Sequence, residues 1–155
     1  MLLKKHILGL LFILIFLTVE HRCAHADIKF RGIGITSGDP SGLSLRLNKD
    51  GQIYDAAMAW DSTAPNNFLL LQLDWVKVSK LDSVGSGADL FFYYGLGGRV
   101  TLATQTQLGA RIPLGVQLIF KGLPFELFFE VAPSLDLIPS TLLKFSSVLG
   151  LRVTL

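Results

Sequence analysis

Apolar residues occupy every second position along most of the chain after Asp27. The clearest runs cover 43–47, 54–60, 69–75, 92–102, 108–118, 125–135 and 149–155. A period of two is typical of β-strands with one apolar and one polar face. With the less regular segment 28–35, the sequence predicts eight strands.

Short turn-forming segments separate the predicted strands. They are Asp39-Pro40-Ser41-Gly42, Asp50-Gly51, the segment 63–67 and Lys121-Gly122-Leu123-Pro124. Connections this short join antiparallel neighbours, which favours an all-β, up-and-down antiparallel barrel. The segment from Ser79 to Asp89, rich in Gly and Ser, is predicted to be a longer loop. Pro113 and Pro133 fall inside predicted strands, where a missing N–H predicts a bulge.

Which face the barrel turns outward indicates whether it lies in water or in a membrane. The apolar face carries large side chains on nearly every strand, and the interior of an eight-stranded barrel has no room for so many. Strands of about 10 residues match the roughly 25 Å apolar band of an outer membrane. The sequence therefore predicts an eight-stranded transmembrane β-barrel. A soluble periplasmic β-barrel that binds an apolar ligand is the alternative.

The first 26 residues have the layout of a secretory signal peptide. Lys4 and Lys5 precede an apolar run at 7–19, and a polar stretch then ends in Ala24-His25-Ala26. We predict a signal peptide at 1–26, cleaved after Ala26, and a barrel domain at 27–155. A membrane-anchoring helix would need about 18 apolar residues, and a lipoprotein would need small apolar residues before Cys23.

Removing residues 1–26 changes the chemistry available to the chain. The single cysteine and all three histidines lie in that segment. Eleven of the 14 basic and 11 of the 12 acidic residues remain, so the barrel domain is formally neutral. No basic excess indicates nucleic acid, and no thiol or imidazole remains for catalysis or transition-metal binding. We expect no cofactor and no metal.

The predicted polar face carries nine charged residues. They are Arg46, Asp55, Asp74, Arg99, Arg111, Glu126, Glu130, Asp136 and Arg152. Buried charges are tolerated when they are paired, so this set predicts a structural ion-pair network that fills the lumen. Catalytic carboxylates are the alternative interpretation. Gly95, Gly97 and Gly98 are predicted to make space for Arg99 and its neighbours.

Several segments resemble a known family. The chain contains YGLGGR at 94–99, GARIPLG at 109–115, PFELFFEVAP at 124–133, and LDL and PST at 135–137 and 139–141. Together they resemble a family of small uncharacterised bacterial outer-membrane β-barrel proteins. The resemblance implies an eight-stranded barrel with no catalytic residue to carry over. The chain departs from this family at Leu155, because such barrels usually end in an aromatic residue that the assembly machinery recognises.

These observations predict a non-enzymatic protein of the Gram-negative outer membrane with a structural or surface-display role. Its expected partners are outer-membrane lipids and, during biogenesis, the barrel-assembly machinery; the oligomeric state stays open. An outer-membrane lipid-modifying enzyme is the alternative. Such enzymes rely on a histidine, and the predicted barrel domain has none.

Overall fold

The computed structural model describes residues 28–61 and 67–155, which form β-strands joined by turns. The nine strands in these two ranges are β1 Ile28–Asp39, β2 Gly42–Lys49, β3 Gln52–Asp61, β4 Phe68–Val84, β5 Ala88–Leu102, β6 Gln107–Arg111, β7 Leu114–Phe120, β8 Phe125–Ile138 and β9 Leu142–Thr154. Within the same ranges no helix is long and apolar enough to cross a membrane. The predicted signal peptide, residues 1–26, lies outside the described residues.

The strands form one closed antiparallel barrel. β1 to β5 pair in chain order, β6 and β7 both lie between β5 and β8, and β8 pairs with β9. The first and last strands complete the ring, from Gly32 opposite Thr154 to Asp39 opposite Ser147. The up-and-down antiparallel architecture predicted from the sequence is confirmed.

The predicted count of eight strands is wrong, because the strand expected at 108–118 is divided at Ile112 and Pro113. β6 and β7 are its two halves and occupy one position in the ring. Backbone bonds still cross the gap, from Gly95 N to the Pro113 carbonyl and from Ile112 N to the Pro133 carbonyl, both 3.0 Å. Proline has no N–H to donate, so the ladder is interrupted there.

The predicted bulges at the two prolines are also wrong. Arg111 pairs with Ser134 and Leu114 pairs with Val131, so both strands advance by the same number of residues across the gap. No extra residue is inserted. Pro113 and Pro133 both lie at this gap. The two backbone positions that lack an N–H donor are therefore close together in the wall.

The strand register tilts the barrel. A row of paired residues that starts at Gly34 on β1 passes through Arg99 on β5 and Asp136 on β8 and reaches Leu142 on β9. Gly34 itself pairs with Arg152 on β9. From 142 to 152 is a stagger of ten residues in one circuit. Such a stagger tilts the strands relative to the barrel axis, so residues far apart in the pairing pattern meet across the lumen.

The predicted loop from Ser79 to Asp89 is instead a long hairpin. β4 continues to Val84 and β5 begins at Ala88, so only three residues form the turn. The hairpin extends beyond β3, whose last pair with β4 is Ile53 with Val76. We call the end of the barrel that carries this hairpin and both Ile28 and Leu155 the terminal end, and the opposite end the loop end.

Asp89 contacts three side chains near the turn of this hairpin. The Ser83 hydroxyl donates to its carboxylate at 2.7 Å, and the ammonium groups of Lys80 and Lys121 lie 2.9 and 3.2 Å away. These contacts hold the pKa of Asp89 well below its usual range, and the hydrogen bond from Ser83 has the largest effect. They also fix Lys121 in a surface ion pair far from the loop end.

Side chains alternate between an apolar outer surface and a polar lumen. On β8, Phe125, Leu127, Phe129 and Val131 are exposed, while the residues between them are buried. The same alternation holds on β9 and on the first part of β4, up to Lys77. The face predicted from the sequence to turn outward is the exposed one, which is the reverse of a soluble barrel.

Candidate functional site

The lumen contains the charged side chains predicted from the sequence. All nine lie on the inner face; eight are buried and Arg99 is partly buried. Their contacts divide them into three groups along the barrel axis, which we call the lower, middle and upper groups, counted from the terminal end. Each group joins side chains from several strands.

The lower group contains two arginines and two carboxylates. Arg46 forms a two-point contact with Asp55, with N–O distances of 2.7 and 2.6 Å. Arg152 lies 2.8 Å from Glu126 and 3.5 Å from Asp55, and Arg46 also reaches Glu126 at 3.1 Å. Both arginines therefore contact both carboxylates. Gln117 accepts a further hydrogen bond from Arg46.

The middle group contains one arginine and two carboxylates. Arg111 contacts Asp74 at 3.1 Å and also pairs with Glu130. The Gln72 side-chain oxygen accepts a hydrogen bond from Arg111 at 2.7 Å. Tyr93, which is fully buried, donates its hydroxyl proton to Glu130 at 2.9 Å. Arg111 is thus the one cation of this group and holds both acids.

The upper group contains two cations and one carboxylate. Lys144 lies 2.7 Å from Asp136 and donates to Gln107 at 3.1 Å. Arg99 approaches Asp136 only to 3.4 Å and Ser134 to 3.3 Å. Lys144 is not among the nine charged residues predicted for the lumen; it lies on β9, and its side chain turns into the mouth of the lumen. Its pairing with Asp136 explains this position.

Charge is balanced in the whole lumen but not in each group. The lower group is neutral, the middle group has one carboxylate more than its cations, and the upper group has one cation more than its carboxylates. The upper group, with its additional cation, lies at the loop end, where Asp39 also borders the lumen. In a medium of low dielectric constant such a separation acts over a longer range than in water.

Glycines make room for the large side chains of the lumen. Tyr93 lies opposite Gly115, and Phe128 lies opposite Gly150. A Cβ on Gly150 would come within 2.2 Å of the Phe128 ring. The Phe128 ring also contacts the lower group, since the Arg152 guanidinium lies 3.8 Å from the centre of the ring. Of the glycines predicted to make space in the lumen, Gly97 lies opposite Arg111 and Asp74. Gly98 is exposed, so the prediction is wrong for this residue.

Replacing Gly150 with alanine is expected to destabilise the barrel by about 1–3 kcal/mol, because the added methyl group overlaps the Phe128 ring. Chemical unfolding in detergent micelles measures the change. Gly87→Ala is the matched control, since a Cβ there has open space. Adding Phe128→Leu to Gly150→Ala should restore part of the loss; no restoration would contradict the steric explanation.

The lumen is nearly filled at its centre. A cavity bordered by Asp55, Asp74, Arg111 and Glu130 has a volume of about 20 Å³, which holds about one water molecule. Within 28–61 and 67–155, no group of three or more His, Cys, Asp or Glu side chains could hold a metal ion. Because the cavity at the centre is so small, the charged side chains obstruct the axis of the barrel.

The protein reconstituted in planar bilayers is expected to show no steady ion conductance. The ring has eight strand positions, and aqueous channels are found in barrels of about 16 strands. The arginines and carboxylates that cross the lumen leave no continuous path for hydrated ions. Stable, reproducible single-channel steps at neutral pH would contradict the filled lumen.

No protein-family model and no curated protein matches the chain. Among solved structures, the chain is similar to Neisserial surface protein A, with 14% sequence identity and a TM-score of 0.44. The match covers 83% of this chain and 96% of that chain. At this level of similarity no family is established.

Proposed function

We propose that the chain is a non-enzymatic outer-membrane β-barrel protein with a structural or surface-display role. The observation that carries the proposal is the inverted burial of its side chains. Arg, Asp and Glu occupy the interior, while large apolar residues cover the outside of the wall. Closed barrels satisfy every backbone hydrogen bond within the wall, as a lipid environment requires.

The pairing of the charged side chains in the lumen supports a structural role. The carboxylates of the lower and middle groups are engaged by arginines, and each of these arginines contacts more than one partner. A catalytic acid or base needs access to a substrate, and the cavity beside these groups holds about one water molecule. The arrangement supports stabilisation of the barrel rather than a reaction.

The alternative, a soluble periplasmic carrier of an apolar ligand, needs an apolar interior of useful size. Small-molecule pockets have volumes of about 300–1,000 Å³ with largely apolar walls. The lumen here is polar, its centre is nearly full, and most of the large apolar residues lie outside. These features disfavour an internal apolar ligand.

Fractionation of cells that produce the full chain tests the proposal. The protein is expected in washed outer membranes, and its release should require detergent. The intact mass of the same material should correspond to a chain that begins at Asp27. Recovery in the soluble periplasmic fraction without detergent would overturn the membrane assignment, and a mass that includes residues 1–26 would overturn the cleavage.

A further inference from the structure

The outer surface of the barrel carries an apolar groove across β1 to β4. Its volume is about 290 Å³, near the lower limit for small-molecule pockets. Leu45, Met58 and Leu71 are among the outward side chains that border it, and Ala56 is the smallest of these. Ala56 pairs with Leu45 on β2 and with Leu73 on β4, so a methyl group lies between two larger side chains. We call this feature the outer groove.

Side chains with polar tips lie on the same outward face, between the outer groove and the terminal end. Tyr54 is two residues from Ala56 on β3 and pairs with Trp75 on β4. Lys77 follows two residues later on β4, is exposed, and pairs with Tyr94 on β5. Tyrosine and tryptophan are enriched where hydrocarbon meets lipid headgroups. We therefore place these side chains at the level of the headgroups.

The ammonium group of Lys77 is available to a ligand. The acidic residues nearest to it along β4 are engaged elsewhere, since Asp74 faces the lumen and Asp82 accepts a hydrogen bond from the backbone of Ser83. In the described part of the chain, no carboxylate lies within ion-pair distance of Lys77, and the hydroxyl of Tyr94 makes no hydrogen bond. An ammonium group and a hydroxyl side by side are suitable donors for a phosphate.

The spacing between these donors and the outer groove fits a lipid of one leaflet. Lys77 is four residues from Leu73, the partner of Ala56, which is about 13 Å along the strand. One leaflet makes up half of a hydrocarbon core about 30 Å thick. A lipid chain that begins at the level of Lys77 therefore reaches the depth of the outer groove.

We propose that the outer groove holds one acyl chain of a phospholipid whose phosphate group binds Lys77 and Tyr94. The apolar walls of the groove contact the chain, and the ammonium and hydroxyl groups bind the head. This proposal rests on the outer-membrane location proposed above, and it names a lipid that the wall binds in preference to its neighbours.

Native mass spectrometry of the protein purified from membranes in detergent tests the proposal, with palmitoyl-oleoyl phosphatidylglycerol as the probe. In a titration, the first lipid is expected to bind more tightly than the second. Lys77→Gln should weaken the affinity for the first lipid about 10-fold, because one charge-assisted hydrogen bond is lost. Lys121→Gln is the matched control, since Lys121 is an exposed lysine at the same end that already pairs with Asp89.

A substitution in the outer groove tests the acyl chain separately. Ala56→Leu fills part of the groove and should weaken the affinity for the first lipid about 10-fold, as expected when about two methylene groups lose their apolar contact. Ala110→Leu is the matched control, because Ala110 is also an outward alanine but lies on β6, away from the groove. Glycerol 3-phosphate, which has no chains, and diolein, which has no phosphate, should both bind more weakly than phosphatidylglycerol.

Equal affinities of the Lys77→Gln and Lys121→Gln proteins would overturn the phosphate contact, and equal affinities of the Ala56→Leu and Ala110→Leu proteins would overturn the chain contact. Glycerol 3-phosphate binding as tight as phosphatidylglycerol binding would overturn the assignment to a lipid. Dimers that Ala56→Leu dissociates would assign the outer groove to a second copy of the chain and overturn the proposal. None of these results bears on the fractionation experiment, so the lipid site can fail while the outer-membrane proposal stands.

Discussion

Replacing Leu73 with arginine is expected to destabilise the barrel in a lipid bilayer by about 2–4 kcal/mol. Leu73 points outward near the middle of the part of β4 that pairs with β3, and it is 56% exposed. If the outer surface faces hydrocarbon, an arginine there loses its hydration with no acidic partner to compensate. Urea unfolding of the protein in phospholipid vesicles measures the difference in free energy of unfolding from the unchanged chain.

Leu81→Arg is the control for this experiment, because the same substitution is made on the same strand at nearly the same exposure, 57%. Leu81 lies in the part of β4 that extends beyond β3, outside the closed wall. Its replacement should change the free energy of unfolding by less than about 1 kcal/mol. Two equally small effects would show that water, not lipid, surrounds Leu73.

Replacing Arg111 with leucine is expected to cost about 3–5 kcal/mol, because it leaves two buried carboxylates without a cation. Asp74 and Glu130 both pair with Arg111, and no other cation of the middle group is available to them. Unfolding in detergent micelles measures the loss, and the variant should regain stability at acidic pH, where the unpaired carboxylates take up protons.

Arg99→Leu provides the comparison in the upper group. Asp136 keeps its contact with Lys144 at 2.7 Å after Arg99 is removed, so the loss should be clearly smaller than for Arg111→Leu. Equal losses at the two positions would contradict the division of the lumen into charge groups. An Arg111→Leu protein of unchanged stability would contradict a stabilising network.

The period of two in the sequence was sufficient to predict the faces of the strands. Arg152, for example, alternates with Leu151 and Val153, and the structure buries the arginine and exposes both neighbours. This works because a strand directs successive side chains to opposite sides whatever its partners are. The closed architecture followed from short turns such as Asp50-Gly51, where both residues have the positive φ angles of a tight hairpin.

The partners inside the lumen could not be predicted in this way. Arg152 bonds to Ser44, 108 residues earlier, and their meeting depends on the stagger of the ring, which no local pattern encodes. Lys144 was missed for the same reason, since nothing in the sequence around it indicates the contact with Asp136 on β8. The long β4–β5 hairpin was missed because its outer part is exposed on both faces and loses the alternation.

Closure of the ring by β9 has a consequence for how the protein folds. Arg152 on this last strand contacts Ser44 on β2 and Asp55 on β3, and Arg46 reaches Glu126 on β8, so the lower group is completed only when β9 docks against β1. The pairs between adjacent strands, Arg46 with Asp55 and Arg152 with Glu126, can form earlier, but an open sheet would still expose unpaired backbone edges, which hydrocarbon does not tolerate. The chain therefore gains its contacts across the lumen and loses its free edges in one cooperative event, and partly closed sheets should not accumulate in the bilayer.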